Sequence, residues 1–574
     1  MYRHFGRAHL VFAAMNWLPY NGEEYLDVDG VEAFCVQLAA DHPRWARLEV
    51  VGQSRHGRPI QVLTIGDHTD PDGPGRRPAI WLDGGTHAVE WTGVMSCVFT
   101  VSRWVQSLLA GDEALTHWFS EHTAYILPCV SPDGVQAMYD GLPFLRSTLR
   151  PPVEGTVLTG LEPRDMDGDG AVRWMRWRHP AGPLVADEEV PIFMRPRRLD
   201  DDPADAFFMC DEGELVNWDG VRWTAAARRY GLDLNRNFPD AWRPFAMFGM
   251  DGGDYALSEP ESRALVDAFR ARRHIAAAVT NHTYTGCLLT APSSADDPLD
   301  TGDIRLLELL AQQAVEGTDY RVIKKHPAFV YDPKNPIAGC WDDALTNTFG
   351  VAGYTLELWD PFRYAGVDNP DPAAFFKTPD ATKIRRLLAK FSEDPGAVTP
   401  WKAFEHPQLG PVEIGGIDYL RTMRNPPVAL LAQELGRGFA VADTIRQALP
   451  RVTVKATVTR HGSARRVQLV VENLGYLSTA SLTRAETIGA APPVSAGLVL
   501  ANGQTLLDGA ASQTLGHVDG WGVSQAGPAS NAIYSALPGR GNRTSCQWLL
   551  EGEGPLTIEW QAGRAGCGRL SIEP

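Results

Sequence analysis

The first residues that could carry chemistry are His87 and Glu90, which stand three positions apart after an apolar run and the glycine pair 84–85. Imidazole nitrogen and carboxylate oxygen are both ligands that zinc takes in proteins. Because residues i and i+3 share one face of a helical turn, both side chains can reach the same ion. The surrounding pattern predicts a buried strand, a tight turn and a helix. So short a pair recurs by chance, and its meaning depends on partners elsewhere in the chain.

Two further residues at apolar runs could complete such a site. Catalytic zinc takes three protein ligands and leaves a fourth position for water. His282 follows the run 274–280 and is the best candidate for the third ligand, although this residue alone is more simply interpreted as a polar loop histidine. Glu357 interrupts the alternating run 351–359, where an unpaired carboxylate would be costly. As a general base it would take the proton of the attacking water.

The segment 231–239 places dense polar functionality next to apolar residues. Asp233 could orient a ligand histidine from behind. Asn235 and Arg236 could clamp a carboxylate, because a guanidinium matches it with two parallel hydrogen bonds. A solvated arginine beside turn-forming asparagines is the alternative for this segment on its own.

Strands that alternate with helices predict an α/β fold with a mixed, mostly parallel sheet and helices on both faces. In such sheets sites form at the carboxyl ends of strands, where several of the candidate residues fall. We expect residues 1–450 to form this catalytic domain, with a mostly loop-like insertion at about 150–230. From residue 451 to 574, short β-type runs separated by Gly, Pro and Ser predict an all-β, sandwich-like accessory domain. This domain could support folding, bind a partner or narrow access to the cleft.

Composition and charge exclude several function classes. The 574-residue chain is 44% apolar and carries a net charge of −17, which argues against a nucleic-acid surface. No apolar run reaches the roughly 18–20 residues that span a bilayer. Eight cysteines without CxxC spacing favour free thiols in a reducing compartment. Because the first fifteen residues make a poor signal peptide, we expect a cytoplasmic protein, with a secreted or periplasmic one as the alternative.

Five short motifs resemble, in their order, those of the zinc carboxypeptidases of the carboxypeptidase A/B type. They are Gly85–Trp91, Ser131–Gly134, Asp233–Asn237, Asn281–Tyr284 and Leu356–Asp360. The resemblance covers about residues 20–450, and five ordered motifs exceed what chance supplies. The family's pattern implies His87, Glu90 and His282 as ligands of one catalytic zinc ion. It implies Glu357 as the general base and acid.

The same resemblance implies substrate-binding residues. Asn235 and Arg236 would clamp the terminal carboxylate of a peptide or protein substrate. Asp233 falls where the family keeps the carboxylate behind its first histidine ligand. Arg146, thirteen residues after the aspartate of the second motif, matches the arginine that polarises the scissile carbonyl and steadies the oxyanion. Arg150 is close enough in sequence to be a rival for that role.

Three positions depart from the family's pattern. Val89 stands where many relatives carry a substrate-binding arginine, so contacts with the substrate must differ. The family's mobile active-site tyrosine falls shortly before Gly339. Tyr331 is the nearest tyrosine and Asn335 is closer in spacing, and neither is assigned. The specificity pocket falls near Trp341–Asp343, where an acidic residue would favour basic side chains and the tryptophan would not.

An acidic turn in the insertion matches the first half of a calcium loop. Asp165, Asp167 and Asp169 alternate and are followed by Gly170, as in an EF-hand. Arg176 occupies position twelve, where an EF-hand requires glutamate, so calcium would need outside ligands. The candidates for these are Asp187, Glu188 and Glu189. An acidic turn without metal is the equal alternative.

The sequence therefore predicts a zinc-dependent metallocarboxypeptidase, and two alternatives stay open. A deacylase of N-acyl amino acids of the aspartoacylase type shares the zinc pair and the Asp-Leu-Asn-Arg stretch. The segment Ser131–Gly134 and Trp91 favour the peptidase. The other alternative is a catalytically silent binding protein on the same fold, against which the intact ligands, clamp and base argue. Oligomeric state is not indicated.

Overall fold

The structure is a computed structural model. It describes residues 16–152, 154–221, 224–226, 228–247, 249–330, 332, 337–527 and 541–572. The first fifteen residues, Tyr331 and Asn335, which figured in the expectations above, lie outside these ranges.

Strands and helices alternate along the first part of the chain, and strands dominate the last. The strands are β1 Ala46–Gln53, β2 Pro59–Ile65, β3 Ala79–Gly84, β4 Thr123–Leu127, β5 Gly160–Pro163, β6 Trp174–Arg178, β7 Leu184–Ala186, β8 Met194–Pro196, β9 Ala206–Asp211, β10 Gly213–Val216, β11 Ala246–Met247, β12 Met250–Asp251, β13 Ile275–Thr283, β14 Cys287–Thr290, β15 Arg321–Lys324, β16 Ala352–Leu358, β17 Val398–His406, β18 Gly410–Ile417, β19 Val452–His461, β20 Ala464–Asn473, β21 Val494–Val499, β22 Thr505–Asp508, β23 Ser512–Gly516, β24 Arg543–Glu551, β25 Leu556–Ala562 and β26 Cys567–Ile572. The α-helices are α1 Val28–Asp41, α2 Trp91–Leu109, α3 Glu113–Glu121, α4 Pro132–Tyr139, α5 Pro260–Ala271, α6 Thr301–Ala314, α7 Lys325–Ala328, α8 Trp341–Asp343, α9 Pro361–Tyr364, α10 Pro372–Lys377, α11 Ala381–Phe391, α12 Val428–Gln447, α13 Thr483–Thr487 and α14 Trp521–Ala526. Within the described ranges, none of these helices has the length and apolar character needed to cross a membrane.

The central sheet has eight strands in the order β1-β2-β4-β3-β13-β16-β14-β15. The four middle strands, β4, β3, β13 and β16, run parallel to one another, and so do β14 and β15. The remaining neighbours pair antiparallel. The carboxyl ends of the four middle strands therefore meet at one edge of the sheet.

Helices cover both faces of this sheet. Successive residues of a strand point to opposite faces, so Ile80 and Leu82 of β3 enter the core formed with α2 and α12, whereas Trp81 enters the core formed with α5. Burial on both faces explains why β3 and β13 are nearly continuous apolar runs. The predicted α/β class, with a mixed and mostly parallel sheet, is confirmed.

Most of the described residues in the segment 150–230 are irregular, as predicted, but the prediction missed six short strands within it. Strands β6, β9, β7 and β8 from this segment join β17 and β18 in a six-stranded antiparallel sheet. Met175 of β6 lies opposite Ile414 of β18, so the pairing partner is far away in sequence. Arg176 packs between the rings of Phe207 and Trp401, at 4.6 Å and 4.2 Å from their centres. The other pairs, β6 with β9, β9 with β7 and β7 with β8, are formed within the segment itself, by strands of only three to six residues.

The last part of the chain forms two four-stranded antiparallel sheets, β19-β20-β24-β22 and β23-β21-β25-β26. Val467, Leu469 and Trp548 of the first sheet share one buried core with Val494 and Ile558 of the second. The expected strand-rich C-terminal region is thus present as two packed sheets.

This C-terminal region packs against the amino ends of β13 and β16. The hydroxyl of Ser481 accepts a hydrogen bond from the main-chain N–H of Ala352 at 3.0 Å and donates to the carbonyl oxygen of Ala276 at 2.6 Å. The buried guanidinium of Arg564 donates to the carbonyl oxygen of Ile275 at 2.8 Å. These contacts lie at the opposite end of the two strands from the candidate site residues.

Candidate active site

His87 and Glu90 lie on the turn between β3 and α2. The main-chain N–H of Glu90 donates to the carbonyl oxygen of His87 at 3.2 Å, and α2 begins at Trp91. The pair therefore precedes the helix, and Glu90 is its N-cap residue, whereas the sequence pattern had suggested a helical turn. The turn still places both side chains on the same side of the chain.

Two glycines bring this turn next to β13. A Cβ atom on Gly84 would stand 2.5 Å from the carbonyl oxygen of Gly93, and one on Gly93 would stand 2.6 Å from that of Asn281. Neither distance is tolerable between real atoms, so only glycine allows the start of α2 to approach the ends of both strands. This approach places Glu90 beside His282.

His87, Glu90 and His282 form one buried cluster. The Nδ1 atoms of the two histidines are 3.0 Å apart. One carboxylate oxygen of Glu90 is 3.0 Å from Nδ1 of His87, and the other is 2.9 Å from Nδ1 of His282. The three ligand atoms all lie within 4.8 Å of one another, and each of the three residues is at most 3% exposed. The structure thus brings together the three ligands expected from the sequence.

Both histidines have their other ring nitrogen held by a neighbour. Nε2 of His87 lies 3.2 Å from a carboxylate oxygen of Asp233, and that contact requires Nε2 to carry the proton. Nε2 of His282 lies 3.2 Å from the hydroxyl of Thr280, which itself donates to Asp83 at 2.6 Å and can therefore only accept from the histidine. Each Nδ1 then presents a lone pair to the centre of the cluster. Two imidazole lone pairs and one carboxylate are a donor set that fits zinc.

Asp83 is a functional candidate that the sequence reasoning missed. It is fully buried at the end of β3 and accepts hydrogen bonds from the indole N–H groups of Trp81 and Trp341, each at 2.8 Å, as well as from Thr280. Burial raises the pKa of this carboxyl above its ordinary value, although all three donors favour the ionised form. The sequence did contain a signal for it, because Asp83, like Glu357, is a carboxylate within an apolar run.

Glu357 lies next to His282 on the neighbouring parallel strand, in direct register. Unlike the carboxylate of Glu90, its carboxylate makes no hydrogen bond to a residue that the structure describes. Burial, and then the negative charge of Glu90, raise the pKa of Glu357 to about 7. A carboxylate that is free of protein donors and reluctant to ionise is suited to accept a proton from water.

Arg146 reaches the cluster and Arg150 does not. Arg146 donates to Glu90 at 2.9 Å and to Asp233 at 3.3 Å, while its Nη2 donates to no residue in the described part of the chain. Burial opposes the ionisation of both carboxyls, but their contacts with His87 and the charge of Arg146 hold the pKa of Glu90 and of Asp233 well below its usual range. Arg150 instead pairs with acidic residues outside the cluster, among them Asp251 at 2.8 Å.

Asn235 and Arg236 lie on a short 3-10 turn directly after Asp233. The carboxylate of Asp233 accepts the N–H of Asn235 at 2.9 Å, and the side-chain oxygen of Asn235 accepts the N–H of Trp341 at 2.9 Å. Arg236 donates to the sulfur of Cys340 at 3.1 Å. Both candidate clamp residues are only 8% exposed, and the charge of Arg236 contributes to lowering the pKa of Asp233.

The expected specificity segment, Trp341–Asp343, is buried. Trp341 belongs to the core and binds Asp83 through its indole. Asp342 and Asp343 both pair with the ammonium group of Lys325, in the first case at 2.7 Å. The acidic pair is thus already partnered by a cation of the protein itself.

The calcium hypothesis for the insertion is not supported. The carboxylates of Asp165, Asp167 and Asp169 accept hydrogen bonds from main-chain N–H groups two to five residues further on, as in ordinary acidic turns. Oxygens of Asp165 and Asp167 come within 4.8 Å of one of Glu212, but Glu212 accepts main-chain N–H groups of this turn and so serves to hold it. The suggested outside ligands, Asp187, Glu188 and Glu189, join no cluster of possible ligands within the described ranges.

Comparison with known proteins finds a family match over most of the first 380 residues. The zinc carboxypeptidase family matches residues 31–164 and 209–379, which contain the three candidate zinc ligands, Glu357, Arg146 and the segment 233–236. A family of domains of unknown function matches residues 450–573.

Similar proteins include curated carboxypeptidases. The chain is 32% identical to carboxypeptidase B of Astacus astacus over 120 residues, which is 21% of this chain and 35% of that protein. It is 30% identical to carboxypeptidase A2 of Rattus norvegicus over 115 residues, 20% of this chain and 26% of that protein. The matches thus span about a third or less of each relative. Among solved structures, carboxypeptidase A from Helicoverpa armigera has 18% identity and a TM-score of 0.40, over 64% of this chain and 75% of that one.

Proposed function

The chain belongs to the zinc carboxypeptidase family, and from that premise we propose that it is a zinc-dependent carboxypeptidase that releases the last residue of peptides or proteins. His87, Glu90 and His282 would hold the ion. When bound there, zinc supplies Lewis acidity toward a water molecule and toward the scissile carbonyl. The remaining steps fall to the protein's own residues.

Glu357 carries the proton in this proposal. It accepts a proton from the attacking water and later returns it to the nitrogen of the leaving amino acid, so one residue acts first as base and then as acid. Its position in register with His282 supports this role, because the two side chains stand on adjacent parallel strands. Arg146 would donate through its free Nη2 to the carbonyl oxygen, where negative charge develops.

Asn235 and Arg236 would hold the terminal carboxylate of the substrate. A guanidinium and an amide that are largely withdrawn from water bind a carboxylate more strongly than exposed groups would. Fixing the terminus beside the ligands restricts cleavage to the last peptide bond, which makes the enzyme an exopeptidase.

The observation that carries the proposal is the convergence of three possible ligand atoms within 4.8 Å of one another, beside the carboxylate of Glu357, which accepts no hydrogen bond from a described residue. A catalytically silent binding protein would have no need of Glu357 in that position. No feature of the described residues favours a deacylase over a peptidase.

The test is digestion of a peptide library, read by mass spectrometry, with zinc-loaded protein and with protein treated with a zinc chelator. N-acyl amino acids are assayed in parallel. We expect stepwise release of single C-terminal residues that requires zinc, and no faster hydrolysis of N-acyl amino acids. Preferential hydrolysis of N-acyl amino acids would identify a deacylase, and stoichiometric zinc without hydrolysis of either substrate would indicate a binding protein.

A further inference from the structure

The segment that follows β18 is fastened to the turn that carries the metal ligands. Asn425 is fully buried, and its side-chain oxygen accepts hydrogen bonds from the main-chain N–H and the hydroxyl of Thr92, each at 3.0 Å. Its side-chain N–H donates to the carbonyl oxygen of Val89 at 2.8 Å. Three hydrogen bonds from one side chain thus fix this segment against the residues on either side of Glu90.

Arg424, the residue before this anchor, points its guanidinium into the candidate site. Its Nη1 lies 3.8 Å from a carboxylate oxygen of Glu90. The guanidinium carbon lies 5.2 Å from the ring centre of Tyr284 and 5.7 Å from that of Tyr419. The side chain is 16% exposed, and its Nε is buried without a hydrogen-bond partner among the described residues. Because Nε is shielded from solvent, Nη1 and Nη2 are the donors that Arg424 could offer to a ligand, beside its contact with the hydroxyl of Tyr419.

The charges around Arg424 favour an anion from outside. Glu90, the nearest carboxylate, is already engaged by both histidines and by Arg146. Two guanidinium groups, those of Arg146 and Arg424, thus stand beside one carboxylate that is already engaged.

Arg424 and the proposed carboxylate clamp contact different residues of the site. Arg236 contacts Cys340 and the ring of Phe245 and belongs to the turn of Asp233, which stands behind His87. Arg424 lies instead at Glu90 and Tyr284. A peptide with its terminus at Arg236 and its scissile carbonyl at the metal ligands would continue toward Arg424.

We propose that Arg424 binds the acidic side chain of the residue that precedes the scissile bond, so that peptides with a penultimate Glu or Asp are preferred substrates. The inference rests on the proposed carboxypeptidase function. Val89 is apolar and buried, so this position of the turn cannot bind an acidic side chain. The hydrogen bond of Asn425 to Val89 instead holds Arg424, from a distant part of the chain, beside the turn.

The test compares two peptides that differ only in a penultimate Glu or Gln, which have nearly the same shape. For the wild-type protein we expect kcat/KM to be roughly tenfold higher for the Glu peptide, the size of one charge-assisted hydrogen bond. In Arg424→Gln the ratio should fall to about one while zinc content stays the same. The matched control is Arg421→Gln, which removes an exposed arginine three residues earlier that pairs with Asp418 at 2.9 Å, and it should keep the wild-type ratio.

A binding measurement separates this inference from the function on which it rests. In the Glu357→Gln background, calorimetric titration of the zinc-loaded protein should give a dissociation constant roughly tenfold lower for the Glu peptide, and Arg424→Gln should abolish that difference. Hydrolysis or binding of both peptides with a ratio near one in the wild type, or an unchanged ratio in Arg424→Gln, would overturn the inference alone. Failure to bind or hydrolyse either peptide would overturn the proposed function as well.

Discussion

Each of the two candidate ligand histidines is held in orientation by a carboxylate outside the cluster of His87, Glu90 and His282. Asp233 holds Nε2 of His87 directly, whereas Asp83 acts on His282 through the hydroxyl of Thr280. Such partners fix the tautomer and the ring orientation, and their loss typically weakens metal binding by about 10- to 100-fold. Asp83 is linked to His282 by two successive hydrogen bonds, and the uncharged residue Thr280 takes part in both.

The substitution Thr280→Val keeps the shape of the side chain and removes the hydroxyl. Nε2 of His282 then loses its hydrogen-bond acceptor. The ring is no longer held in the orientation that directs Nδ1 toward His87 and Glu90. We expect the dissociation constant for zinc, measured by competition with a chromogenic chelator, to rise by about 10- to 100-fold.

Thr290→Val is the matched control, because the hydroxyl of Thr290 is buried without a hydrogen-bond partner in the described ranges. It should leave zinc affinity within about twofold of the wild type. Equal zinc affinity in Thr280→Val and the wild type would contradict the positioning role.

At this scale the sequence predicted the residues that carry recognisable motifs. His87, Glu90, His282 and Glu357 could be named because each follows or interrupts an apolar run in a family pattern. Arg424 could not, because it lies outside the residues matched by the family and reaches the site only through the anchoring of Asn425. A side chain that is delivered by tertiary packing leaves no local signal.

At the scale of elements, helix α12 shows how closely the layers approach. Two of its glycines, Gly436 and Gly438, are separated by a single residue, and their surroundings differ. A Cβ atom on Gly438 would stand 2.7 Å from the hydroxyl of Ser96 in α2 and 2.9 Å from a methyl group of Leu358 in β16, whereas one on Gly436 would meet nothing within 4 Å. Gly438 thus lets α12 contact both α2 and the strand that carries Glu357.

The pair Gly436→Ala and Gly438→Ala tests this packing within one helix. The first should raise the free energy of unfolding by about 0.5–1 kcal/mol, because alanine loses less conformational freedom in a helix. The second should lower it by about 1–3 kcal/mol through overpacking. Both values are measured by urea denaturation followed by circular dichroism. Equal effects of the two substitutions would mean that α12 does not pack closely at Gly438.

Elements were predictable where their pattern is local. The central strands are apolar throughout because helices cover both faces, and a pattern of that kind can be recognised without knowing the partner strands. The sheet formed by β6 to β9 with β17 and β18 could not be predicted, because several of its strands are short and partly exposed, and because its two halves are joined by the distant pair β6 and β18.

At the scale of the whole molecule, the C-terminal region completes the amino end of the central sheet. Arg564 donates to carbonyl oxygens of Arg273, Ile275 and Phe349, and also to that of Ala480 in its own region. Tyr476, Leu477 and Leu482 belong to the same hydrophobic core as α2, α6 and α12. The region therefore contributes to the stability of the catalytic part, and its contacts lie away from the site.

The substitution Arg564→Met leaves several buried carbonyl oxygens without a donor, each at a cost of about 1–3 kcal/mol. We expect the thermal midpoint of the whole chain to fall by several degrees, while zinc affinity at low temperature stays within about twofold of the wild type. Arg569→Met removes an exposed arginine of the neighbouring strand and should change neither quantity. If Arg564→Met lost zinc affinity at a temperature where it is folded, the hydrogen bonds of Arg564 would also influence the candidate metal site.

The contact between Asp303 and the C-terminal region should make the stability of the chain depend on pH. The carboxylate of Asp303 accepts the N–H groups of Thr483 and Arg484, at 2.9 Å and 2.8 Å, at the start of α13. Burial raises its pKa to about 6, above the 3.8 of a free aspartate. Since the folded chain then binds the proton more tightly than the unfolded chain, this group's contribution to stability is largest below about pH 4 and falls as pH rises to about 6.

Asp303→Asn removes this titration. The free energy of unfolding of the wild type relative to the variant should therefore fall by on the order of 3 kcal/mol between pH 4 and pH 6 and stay constant above it. Urea denaturation at a series of pH values gives this difference directly. Parallel stability curves for the two proteins over that range would refute the assignment.

The most direct test of the account is peptide hydrolysis by Glu357→Gln, measured beside the wild type at full zinc occupancy. The account predicts that the wild type releases the C-terminal residue of a peptide, that a chelator abolishes this release and that added zinc restores it. Glu357→Gln should bind one equivalent of zinc with unchanged affinity and hydrolyse the peptide about 10²- to 10⁴-fold more slowly, because it lacks the proton acceptor. Undiminished hydrolysis by the zinc-loaded variant would contradict the central claim.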